Sequence, residues 1–187
     1  MGMNKKYSGF TLVEMLIVMG IIIILMGVGI AAGRFAIQRA NDVAHQNAAD
    51  QLFTAVQSYL TDEREYPVVS SWAISMGQSA ACTPTSTSPC LDQYLTSGEF
   101  RGGTDSTYYY WTDGSSALVC VSKGGLDDAD LRGYYCTGNA FGATGAPSIS
   151  TKDVIAGDLT EADFLFKQDW INDNDAFDPA ESLVATS

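Results

Sequence analysis

Residues 15–33, MLIVMGIIIILMGVGIAAG, are nineteen side chains in a row without a charge. As an α-helix, such a run is roughly 28 Å long at about 1.5 Å per residue. That matches the hydrocarbon core of a bilayer, about 30 Å thick. A core helix in a chain of 187 residues is rarely apolar on every face. The stretch therefore reads as a membrane-inserted helix, and any fold must accommodate it. Glu14 is the only charged side chain in residues 10–33.

Beyond residue 33 the helical pattern continues with a different character. Ile37, Ala40, Ala44, Ala48, Leu52, Val56 and Tyr59 recur at steps of three and four, with Phe53 and Leu60 beside them. Gln38, Asn41, Asp42, Gln46, Asn47 and Asp50 occupy the other faces. Such a stripe covers a folded domain on one side. A single helix over 10–61 is expected, with Tyr66-Pro67 marking the exit, because the residue before proline avoids helical geometry.

Charge and cysteine placement describe the rest of the chain. Nineteen of the 22 acids lie from Asp62 onward, and only six Lys or Arg follow Arg39. A surface so acidic gains nothing from displacing counterions on a polyanion, so direct nucleic-acid binding is not expected. Cys82, Cys90, Cys120 and Cys136 all follow the apolar stretch. An even count in a small translocated domain reads as two disulfides. Three pairings are open. The local one, Cys82 with Cys90 and Cys120 with Cys136, closes the shortest loops and is expected. Zinc is not, because the spacings lack CxxC and the sole histidine, His45, lies in the helix.

The N-terminus does not read as an ordinary secretory signal. Such a signal would be cut after its apolar stretch, and Ala31-Ala32-Gly33 offers a candidate site. Yet Arg34-Phe35-Ala36-Ile37 continues the helical pattern unbroken, and an acid at Glu14 would burden insertion without purpose. The segment Lys5-Lys6-Tyr7-Ser8-Gly9, then Phe10-Thr11-Leu12-Val13-Glu14-Met15, resembles the type IV prepilin signature: a short basic leader ending in glycine, then Phe-Thr-Leu-x-Glu opening a long apolar helix. The resemblance covers about the first 35 residues. Many pilins carry proline at the place of Ala31. This chain has Gly20, Gly27, Gly29 and Gly33 instead, either softening the helix or admitting close helix packing.

The resemblance implies a set of roles. A prepilin peptidase would cut between Gly9 and Phe10 on the cytoplasmic side, where Lys5 and Lys6 hold the leader. The new Phe10 amine would be methylated. An ionised Glu14 in apolar surroundings needs a partner, and the Phe10 amine of a neighbouring subunit would supply it and fix the stagger of a filament. The implied fold is α+β and pilin-like. A leader (1–9), a membrane and polymerisation helix (10–33) and its amphipathic continuation (34–61) precede an extracytoplasmic head (62–187) with an antiparallel meander and a loop-rich, disulfide-tied C-terminal region. The implied function is a structural subunit, not an enzyme, of a type IV pilus or a type II secretion-like pseudopilus. Its partners would be like subunits, the inner-membrane assembly machinery and, before assembly, the bilayer. The implied location is the inner membrane, then a surface pilus or periplasmic pseudopilus. The competing reading is a binding or sensor domain on a single-pass anchor that never polymerises.

Within the head, 107–112 (TYYYWT), 117–122 (ALVCVS) and 133–137 (GYYCT) read as strands, the first two joined by a turn at Asp113-Gly114-Ser115-Ser116. A short helix is expected at 70–76. The Thr/Ser/Pro-rich loop 82–90 reads as an exposed loop, with O-linked sugar the less favoured alternative. Thr160 with Asp163 forms a capping-box pattern and Leu159 with Phe164 a hydrophobic staple, so a helix is expected over 161–171. The acidic groups Asp127, Asp128, Asp130 and Asp169, Asp173, Asp175, Asp178 are candidate calcium ligands, although neither has EF-hand spacing and a solvated acidic loop is the favoured reading. No other cofactor is expected, and no nucleophile–histidine arrangement stands out.

Overall fold

The computed structural model describes residues 10–67, 91–95, 102, 104–126, 132–155, 157–159, 163–171, 176–177 and 181–182. The leader, the expected short helix at 70–76, Cys82, Cys90, Asp127, Asp128, Asp130, Asp173, Asp175 and Asp178 lie outside them. The chain divides into two units, residues 1–40 and 41–187.

Helix α1 spans Leu12–Glu63, 52 residues with neither proline nor break. Within the first unit its apolar side chains are exposed all round: Leu12, Leu16, Ile23, Ile24 and Ile30 are each more than 60% accessible. Within the second unit the same helix becomes one-sided. His45, Ala48, Ala49, Leu52, Ala55, Val56 and Tyr59 are buried, and Phe53 and Leu60 pack at their margin. The stripe expected from Ile37 onward thus enters a core only from His45, while Ile37 itself remains exposed. Past the helix, Arg64 adopts a left-handed φ of 65°, and its N–H closes on the Leu60 carbonyl at 2.9 Å, a common way for a helix to stop. The exit is then fixed to the head, with Tyr66 N–H donating to the Gly114 carbonyl at 3.3 Å and the Tyr110 hydroxyl to the Pro67 carbonyl at 3.0 Å.

The head is an antiparallel sheet. Its strands are β1 (Ser106–Thr112), β2 (Ala117–Ser122), β3 (Tyr134–Gly138), β4 (Asp153–Val154), β5 (Phe166–Ile171), β6 (Ala176–Phe177) and β7 (Glu181–Ser182). They lie in the order β4-β3-β2-β1-β5-β6, with β7 also paired to β5. The expected meander β1-β2-β3 is present, each strand within a residue of its anticipated bounds. At the β1–β2 turn, the Ser116 and Ser115 amides donate to the Asp113 carboxylate, and these bonds hold its pKa down at about 2.

Alternation along these strands supplies two cores rather than one. Tyr108 and Tyr110 of β1, Ala117, Val119 and Val121 of β2, and Tyr135 of β3 pack with Leu52, Val56 and Tyr59 of α1. Their neighbours Tyr109, Trp111, Leu118, Cys120, Tyr134 and Cys136 join a second cluster with Ala140, Ile149, Val154, Leu159 and Phe164. The segment after β3 is therefore a second layer. A sheet covered on both faces needs apolar side chains at every position, hence the continuous runs TYYYWT and ALVCVS. Cys120 and Cys136 are register partners on β2 and β3 and form the expected disulfide, with Cα atoms 4.0 Å apart.

One expectation is overturned. Where a helix was anticipated over 161–171, Phe166–Ile171 form strand β5 instead, paired with β1 from Ser106↔Trp170 to Tyr110↔Phe166, and 161–162 lie outside the described residues. The capping pattern is a local preference, whereas β1 had an unfilled edge, and pairing with it satisfies a row of backbone donors and acceptors that a helix here would leave open. Leu159 and Phe164 are both buried, as members of the second core.

Among the described glycines compared, Gly138 makes the tightest backbone approach. A Cβ there would stand 2.3 Å from the Ala117 carbonyl oxygen and 2.9 Å from the Leu118 Cα. Gly138→Ala is expected to cost about 1–3 kcal/mol, the range for overpacking a closed site, read as a lowered urea midpoint of the head.

Candidate functional site

The chemistry-bearing residues of the N-terminus are Phe10, Thr11 and Glu14. Phe10 precedes the helix and is 75% exposed. Thr11 is the N-cap. Its hydroxyl accepts the Glu14 N–H at 3.3 Å. Glu14 answers through Oε2, which accepts the Thr11 N–H at 2.9 Å and the Thr11 hydroxyl at 2.8 Å. This is a capping box, Thr-x-x-Glu, in which two orphan donors at the helix start are satisfied reciprocally. The signal lay in the sequence as Thr11-Leu12-Val13-Glu14, although the partner expected for Glu14 was the Phe10 amine, which in a filament can belong to a neighbouring subunit. The structure adds an internal one. Both bonds use Oε2, so Oε1 is left with no partner among the described residues.

Downstream of this cap, α1 is long and apolar enough to cross a membrane by length and composition, and the qualifying window has no buried residues. Adding a Cβ at Gly20, Gly27, Gly29 or Gly33 would meet nothing within 4 Å. The glycines are thus not explained by packing inside their own unit.

Residues 4–30 match the family model described as the prokaryotic N-terminal methylation motif. This chain carries the prepilin-type motif. The match takes in Lys5, Lys6, Gly9, Phe10, Thr11 and Glu14 and ends within the apolar helix. Motif, apolar helix and disulfide-tied α+β head together fit the type IV pilin and pseudopilin pattern. No curated protein and no solved structure matches the chain.

The other candidates are placed as follows. Asp169, from the second acidic group, accepts the Thr107 hydroxyl at 2.6 Å across the β1–β5 pair. Among the described residues no three His, Cys, Asp or Glu side chains are grouped to hold a metal. His45, set aside in the sequence as a helix residue, is buried against the head, with Nε2 3.1 Å from the Thr104 hydroxyl.

A polar seam that sequence reasoning missed ties the helix to the head. Arg132 donates to Asp42 at 3.2 Å. The Tyr135 hydroxyl donates to Asp50 at 3.1 Å, and Lys152 stands 3.6 Å from the same carboxylate. These contacts join residues some 85–102 positions apart, so no local pattern announces them.

Proposed function

We propose that the chain is a structural subunit, cleaved after Gly9, methylated on Phe10 and assembled through its N-terminal helix into a type IV pilus or a type II secretion-like pseudopilus. The observation that carries this reading is the methylation motif on a capped helix whose apolar side chains are exposed on every face of its unit. Such a surface is stable in lipid or against copies of itself, and costly in water. The bilayer holds the subunit first, and neighbouring helices replace the lipid afterwards. The head, residues 62–187 as the resemblance bounds it, remains outside the membrane, where its disulfide persists.

Glu14 has two roles in this scheme. Oε2 caps its own helix, and Oε1 receives the Phe10 amine of the next subunit. A carboxylate and an ammonium at one depth in an apolar filament favour the register in which both are paired.

The first test is the mature N-terminus. Protein purified from a strain with prepilin peptidase should begin at N-methyl-Phe10, and filaments seen by electron microscopy should vanish when the gene is deleted. A chain that retains Met1 and stays monomeric in the membrane would support the anchored binding domain instead.

A further inference from the structure

His45 is the first buried side chain along α1 and is 2% exposed. Groups from three segments act on its ring: its own helix, Thr104 before β1 and Arg132 before β3. The stretch entering β1 presents the Thr104 hydroxyl, 3.1 Å from Nε2. Among the described residues, the charged groups that face the ring are Asp42 on α1 and Arg132 before β3. Arg132 is bound to Asp42 Oδ2 at 3.2 Å and to the Lys123 carbonyl. Asp42 Oδ1 and His45 Nδ1 are both buried without a hydrogen-bond partner among the described residues.

We propose that His45 is an acid-sensitive latch: neutral, it seals the first packed turn of α1 against the segments entering β1 and β3, and protonated, it loosens that turn.

The physics is a competition of three effects. Removing an imidazolium from water is unfavourable, and with the ring this deeply buried that effect is the largest. The Asp42 carboxylate favours the cation, but its charge is already answered by Arg132, which itself repels a second cation. The balance holds the His45 pKa below its ordinary 6.5. The unfolded chain then binds a proton that the folded head resists. Stability is full above about pH 6.5, the unfolded value, and is lost as pH falls through the window below it. Ordinary carboxylates stay ionised down to about pH 5, so pH 6.5 to 5 isolates the histidine.

The test uses the full chain in detergent micelles. His45 is the sole histidine, so its ring protons give one NMR titration that needs no assignment. A midpoint below 6.5 is expected. Urea unfolding of the head should lose up to about tenfold in equilibrium constant per pH unit across this window, the slope for one proton. Hydrogen exchange, corrected for its intrinsic pH dependence, should open first at residues 41–52. His45→Gln should flatten the urea profile. A midpoint at or above 6.5, exchange that opens elsewhere first, or a variant as acid-sensitive as the parent would each overturn the latch. Should His45→Gln fail to fold, the ring titration and the exchange pattern of the parent decide alone.

Discussion

Replacing Glu14 with alanine is expected to leave cleavage after Gly9 intact and to lower filament yield at least about tenfold, since each 1.4 kcal/mol lost from a subunit contact is a factor of ten in its equilibrium constant. The alanine variant alone does not say why, because Glu14 also caps its own helix. Losing a cap costs about 1 kcal/mol, enough to fray the first turn and misplace Phe10. Two further variants separate the effects. Glu14→Gln retains an oxygen that can accept both Thr11 bonds but carries no charge. Thr11→Val removes the hydroxyl and keeps the carboxylate. If the charge pair sets the stagger, Glu14→Gln assembles as poorly as Glu14→Ala and Thr11→Val assembles nearly as the parent does. The reverse order, with Glu14→Gln normal and Thr11→Val defective, would assign the effect to the cap and remove the intersubunit pair from the scheme. Filament mass sheared from cells, normalised to processed subunit, measures both.

What the sequence made legible follows the range of the interactions involved. The helix was readable because its two patterns, an unbroken apolar run and then a stripe at three- and four-residue steps, are local. The β1–β2 hairpin was readable because Asp113-Gly114 sits between two runs of strand-forming residues and the turn is closed by its own side chains. The Cys120–Cys136 bond followed from its short loop. By contrast, β5 pairs with β1 across about sixty residues, and Thr160 with Asp163 offered a helical cap locally. A pairing of that kind is decided by which edge stands empty, and the empty edge of β1 is a property of the assembled sheet. The second core escaped notice for the same reason. Ala140, Ile149, Val154, Leu159 and Phe164 are spaced irregularly in a loop-like stretch, so neither the period of a strand nor that of a helix marked them. The continuous apolar runs of β1 and β2 were the available clue, because a half-exposed antiparallel sheet would alternate. At the N-terminus, Gly9, Phe10 and Glu14 were legible as a motif, whereas the internal partner of Glu14 was overlooked although Thr11 stood three residues before it.

Replacing both Cys120 and Cys136 with alanine is expected to destabilise the head by about 3 kcal/mol, the value for freeing a loop of this length in the chain-entropy model. The separation is 16 residues. With a urea slope of about 2 kcal/mol per molar, the midpoint should fall by roughly 1.5 M. The position of the bond argues against a smaller effect. It ties β2 to β3, and beyond β3, among the described residues, the sheet holds only the two-residue β4. Both sulfurs lie in the second core, whose cover is irregular chain, and both cysteines are fully buried. Burial adds a kinetic expectation. A reductant reaches the bond only when the head opens, so dithiothreitol in native buffer should leave Cys120 and Cys136 unlabelled by a thiol reagent, and the same treatment in urea should expose them together. Mass spectrometry of the labelled chain distinguishes the two states. A loss below about 1 kcal/mol in the double variant, with fast labelling of the parent in native buffer, would mean that β3 is held by its backbone ladder and aromatic neighbours alone. Tyr134 would then be the residue to cut next, since its ring meets Tyr109 edge-on at 5.4 Å on the same face of the sheet.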